Sequence, residues 1–98
     1  MNMNSPVRIS EQYHQQALRW SDLDGKARSL EQLQEHELNK RAKAYKDMSV
    51  AAAEREVKAS QEWANYIIEK VQARTSANDA RADMDTLAMR HAEEMRRV

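Results

Sequence analysis

The chain has 98 residues, and a protein of that length has little interior to fill, so one domain is the upper bound. Its 16 basic residues match its 16 acidic ones, and the balance holds in each half: 8 against 7 in residues 1–49, 8 against 9 in 50–98. This removes both the basic excess of a typical DNA or RNA binder and the acidic excess of a decoy. Absence of Cys rules out disulfides and thiol chemistry, no apolar run reaches membrane-spanning length, and the opening MNMNSPVRIS lacks the apolar core of a signal peptide, so a cytoplasmic protein without a membrane partner is expected.

The hydrophobic fraction of 41% includes fifteen Ala and six Met but no Phe, which makes for a thin core. One Gly and one Pro leave little to punctuate turns, and no run of four or more residues alternates β-branched or aromatic with polar. The expected fold is all-α: an antiparallel helical hairpin or small three-helix bundle with coiled-coil-like packing, completed by oligomerisation. Residues 1–6 read as a flexible N-terminus and 7–98 as a single helical domain.

In chain order, Ser5 before Pro6 suits a helix start, and Ser10 before Glu11 offers a second one a turn later. Ile9, Tyr13, Gln16, Trp20, Leu23, Ala27 and Leu30 then follow in alternating steps of 4 and 3, the seam of a helix packed on another helix. The seam crosses Gly25 without losing phase, so helix 1 runs through it, weakened by about 1 kcal/mol relative to Ala. Leu33, Leu38, Tyr45 and Met48 continue the stripe less cleanly, which carries helix 1 from about 7 to 47.

The phase resets between Met48 and Val50, where Asp47 and Ser49 are good caps. Helix 2, about 50 to 74, has the least polar surface in the chain, with Val50, Ala53, Val57, Ser60, Ala64, Ile67 and Val71 in seam spacing and Trp63 and Ile68 widening the face. After Val71 the apolar set resumes one residue out of step as Ala77, Ala80, Met84, Leu87, His91 and Val98. A turn at 75–78 and a helix 3 from about 78 to 97 follow, or a kink that leaves helices 2 and 3 as one arm. Charge agrees with both cuts, since Lys40, Arg41, Lys43 and Lys46 precede the first and Lys70 and Arg74 the second, with Glu54, Glu56, Asp79 and Asp83 just after them.

Helix 1 outruns helix 2 by roughly 15 residues. Part of its stripe therefore needs helix 3 or another chain to cover it, and an uncovered stripe marks an interface. Ile9, Tyr13, Trp20, Trp63, Ile67, Ile68 and Val71 are the expected contact surface of a homo-oligomer, most simply a homodimer of hairpins. The only basic cluster, Lys40, Arg41, Lys43 and Lys46 around Tyr45, is the candidate nucleic-acid contact, with a solvated helix end as its simpler explanation.

His14, His36 and His91 stand singly, and no His-x-x-x-His pair places two imidazoles on one helical face, so no metal or other cofactor is expected. His91 lies on the helix 3 seam, where protonation near pH 6 would loosen its packing. Met84, Met89 and Met95 fall on more than one face and read as gap-fillers. With no Ser/His/Asp set, no glycine-rich phosphate cradle and no Cys nucleophile, the chain reads as no enzyme. The expected function is a protein–protein interaction module: a small accessory protein such as an adaptor, assembly factor, chaperone or inhibitor, binding itself and an unidentified protein partner. A nucleic-acid-associated accessory protein is the alternative.

Overall fold

The computed structural model describes residues 6–97, with side chains from residue 9 to residue 96. The N-terminal stretch before Pro6, with its Ser5 cap, and the seam position Val98 lie outside the described residues. Among the described residues four helices follow one another: α1 (Pro6–Gln32), α2 (Gln34–Ala42), α3 (Val50–Lys58) and α4 (Gln61–Arg97). No strand occurs among the described residues. The fold is a long helical hairpin in which α1 and α2 form one arm, α3 and α4 return alongside it, and residues 43–49 make the tip.

The first arm is nearly continuous. α1 passes through Gly25 in ordinary helical conformation, and a Cβ added there would meet nothing within 4 Å. At Leu33 (φ −90°, ψ 2°) the helix is interrupted by one residue, yet Leu33 N–H still donates to Ser29 O and Glu37 N–H to Leu33 O, so the chain keeps its direction. The arm stops at Ala42 rather than 47. Ala44 N–H donates to Arg41 O and Tyr45 N–H to Ala42 O, and these i to i−3 bonds tighten the last turn and end it. Ser49 then caps α3, its Oγ accepting from Ala52 N–H at 3.3 Å.

The second arm departs from the sequence reading. Its break falls at Ala59–Ser60 instead of 75–78, and α4 runs unbroken for 37 residues, about 55 Å. Ser60 makes the break: its hydroxyl donates to Val57 O at 2.6 Å and accepts from Trp63 N–H at 3.2 Å, closing α3 and capping α4 with one side chain. The seam drops one residue there, from Ala53 and Val57 to Trp63, Tyr66, Lys70, Ala73, Ala77, Ala80, Met84, Leu87 and His91, all of them buried or half-buried. The bases thought to end helix 2 are used across the hairpin: Lys70 Nζ donates to Gln34 Oε1 at 2.5 Å, and Arg74 binds Asp24 and Glu31.

Because α4 continues past 75–78, it lies along the whole of α1, and the expected length mismatch does not arise. Ile9 is 4% exposed, covered by its own chain. The arms meet in two clusters: Leu38, Val57, Trp63 and Tyr66 near the tip, and Ala27, Ala73 and Ala77 further down, with Leu30 touching both. Alanine at facing positions lets two helices approach closely. The molecule measures 71 × 21 × 16 Å, with a radius of gyration of 20.9 Å; a compact domain of this length would have about 13 Å. Among the described residues no large side chain is wholly buried, as two helices enclose little volume.

Candidate functional site

Where a hairpin this slender can act is decided by which side chains its own packing consumes. Near the tip, Trp63 and Tyr66 stack with ring centroids 5.3 Å apart and planes within 14°, and both are buried against Leu38 and Val57. Burial raises the Tyr66 phenol above its ordinary pKa, with Glu37 and Glu69 adding to the effect. Its hydroxyl donates to Leu30 O, one of the last carbonyls of α1, at 2.5 Å. These aromatics are committed to the interior.

A charged strap lies beside the alanine layer. Arg74 binds Glu31 with two parallel bonds, Nε to Oε2 at 2.9 Å and a terminal nitrogen to Oε1 at 2.7 Å, and its other terminal nitrogen reaches Asp24 Oδ1 at 2.8 Å. Arg28 takes the remaining Asp24 oxygen at 2.8 Å. Hydrogen bonding from Arg74 is the main cause that holds both carboxyls below their ordinary range, and the same bonds push the guanidinium upward. Lower down, the Arg81 guanidinium sits 5.0 Å above the Trp20 ring. At the open end Ser10 Oγ lies 3.4 Å from His91 Nδ1.

The expected contact surface therefore divides. Ile9 and Trp63 are buried within the chain, and Trp20 and Ile67 are half-buried. Tyr13 sits on the rim of the α1 seam, while Ile68 and Val71 are 51% and 55% exposed on the outer side of α4. They belong to a row, Ile68, Val71, Thr75, Asn78, Ala82 and, two turns on, Met89 (66% exposed). Its first five members follow in steps of 3, 4, 3 and 4, and none is charged. In a chain with 33% charged residues, such a stripe has the charge depletion found at interface cores. The sequence names Ile68 and Val71 as contact residues but groups them on one face with Trp63 and Ile67, which are turned toward α1; the rest of the row appears only once α4 is seen to be continuous.

The basic cluster is divided too. Arg41 is half-buried and pairs with Glu37 at 3.3 Å, whereas Lys40, Lys43 and Lys46 are exposed and make no ion pair among the described residues. Beside them the tip presents Tyr45, Met48 and Val50, all exposed, at a cleft between α2 and α3. Sequence reading had placed Val50 in the helix 2 seam and Tyr45 and Met48 in that of helix 1. No group of three His, Asp or Glu side chains among the described residues is placed to hold a metal ion. None of the described helices is long and apolar enough to cross a membrane. Compared with known proteins, the chain matches no family model, no curated protein and no solved structure.

Proposed function

We propose that this chain is a non-enzymatic protein–protein interaction module, a slender helical rod that associates with itself and with a protein partner through apolar residues on its outer surface. The uncharged row from Ile68 to Ala82 on α4 carries this reading. It lies on the side of α4 away from α1, is spaced as a helix-packing seam, and none of the described residues covers it. A second copy laid along it would supply apolar burial that two helices cannot supply for themselves. Such an assembly would be a homodimer of hairpins working as an adaptor, assembly factor, chaperone or inhibitor in the cytoplasm.

Light scattering on a sizing column, run over a range of concentrations, tests the self-association. The wild-type chain is expected to elute as a dimer or larger species, and an Ile68→Asp/Val71→Asp double variant as a monomer with unchanged helical circular dichroism. A wild-type monomer at every concentration would refute it. A second reading, contact with nucleic acid, is favoured by one observation: Lys40, Lys43 and Lys46 are exposed near the tip and have no ion-pair partner among the described residues. Binding of that kind would weaken steeply with salt, and its absence at low salt would remove the reading.

A further inference from the structure

The tip of the hairpin is concave. The end of α2, the connection and the first turn of α3 enclose a cleft of about 520 Å³, within the size range of binding pockets. Ala42, Tyr45, Met48, Val50 and Ala53 give it an apolar lining, and Val50 is 74% exposed, the highest value among the exposed large apolar side chains of the described residues. Lys43 and Lys46 line it as well, beside His36, and no Asp or Glu does. The cleft is therefore an apolar hollow edged by two ammonium groups that make no ion pair among the described residues. Its walls are preformed: Ser49 caps α3, and the connection is braced by Tyr45 N–H to Ala42 O at 3.0 Å and Met48 N–H to Tyr45 O at 3.3 Å. Little ordering would be required on binding.

Charge decides among occupants. A second copy docked tip to tip would bring Lys43 and Lys46 toward their own counterparts, a like-charge arrangement that opposes association. A polynucleotide would satisfy the lysines but leave Met48 and Val50 facing water. Resting on the reading that this chain works by binding proteins, we propose that the tip cleft receives an acidic, amphipathic peptide segment of a partner protein. One or two bulky apolar side chains of the segment fill the hollow, and Asp or Glu residues flanking them meet Lys43 and Lys46. Desolvated at the edge of an apolar surface, such pairs fix register and select against basic or neutral segments.

The test is selection of a phage-displayed random peptide library on the full chain, followed by titration of the enriched peptides into isotope-labelled protein. Enriched sequences should combine bulky apolar residues with Asp or Glu. Amide shifts should be confined to residues 36–53, and a Lys43→Glu/Lys46→Glu double variant, altered only at exposed positions, should bind about tenfold or more weakly. The proposal is overturned by enriched peptides lacking acids, by enrichment equal on the double variant, or by a selection that enriches nothing. It is also overturned if a single-stranded oligonucleotide of matched charge produces the shifts instead. Shifts centred on Ile68 and Val71 would remove the tip cleft and leave the protein-binding reading standing; a monomeric chain that also selects no peptide would remove both.

Discussion

The Tyr66 hydroxyl donates to the Leu30 carbonyl, joining α4 to the end of α1 at the point where the first arm is interrupted. That carbonyl belongs to the last turn of α1, where intrahelical partners run out, so the phenol serves as a cap supplied by the other arm. The same ring stacks on Trp63. Tyr66→Phe keeps the stacking and removes the bond, and is expected to cost about 1 kcal/mol of unfolding free energy, measured by urea denaturation.

Gly25 lies in helical backbone with open space where a side chain would stand. Nothing there requires glycine. Gly25→Ala should stabilise the chain by about 0.5–1 kcal/mol through helix propensity and a less free unfolded chain, visible as a higher thermal midpoint. A lower midpoint would mean that α1 bends at this position.

The alanine layer tolerates no such enlargement. Ala27 and Ala77 are wholly buried where the arms face each other. Ala77→Leu forces the helices apart and should destabilise the chain by about 1–3 kcal/mol, with Ala80→Leu comparable. Denaturant midpoints compared with those of an exposed control outside the uncharged row, Ala92→Leu, separate overpacking from a general effect of leucine.

Arg74 makes the stability dependent on pH. The folded-state pKa values of Asp24 and Glu31 lie below their unfolded ones, chiefly because Arg74 hydrogen-bonds the ionised carboxylates. Their contribution is therefore complete above about pH 5 and is lost as the pH falls through the lowered values. Arg74→Met should lower the thermal midpoint at pH 7 and flatten its decline between about pH 5 and pH 3, measured by circular dichroism. An unchanged slope would show that other carboxylates govern the acid limb.

Much of the hairpin is legible in the residues, and each departure from that reading has a physical cause. The α1 seam from Ile9 to Leu30 reads correctly because apolar residues sit at almost every inward position. Along α4 the inward positions include Lys70, whose ammonium reaches Gln34 while its stem covers the seam. A lysine there made the Ile67 and Val71 track look the more apolar, and moved the phase shift from Ser60 to 75–78. Stepping back from Ala77 by 4, 3, 4 and 3 reaches Ala73, Lys70, Tyr66 and Trp63, so the continuous helix was present in the pattern. Ser60 fell on a seam position itself, which disguised it as packing rather than a cap. The tip cleft was not readable, because its lining depends on where α2 stops, and backbone bonds of the last turn decide that.

The cross-arm contacts also order events in time. The partners of Tyr66 and Leu30 are separated by 36 residues, those of Arg74 and Asp24 by 50, and those of Ser10 and His91 by 81. Closing the chain first at the open end instead of near the tip would cost about 0.7 kcal/mol more, and it would forgo the aromatic cluster as the early reward. Once Trp63 and Tyr66 have met Leu38, each further contact closes only a few added residues. Folding is therefore expected to zip from the tip toward the Ser10–His91 contact and opening to run the other way, so amide exchange should quicken steadily from Tyr66 to His91.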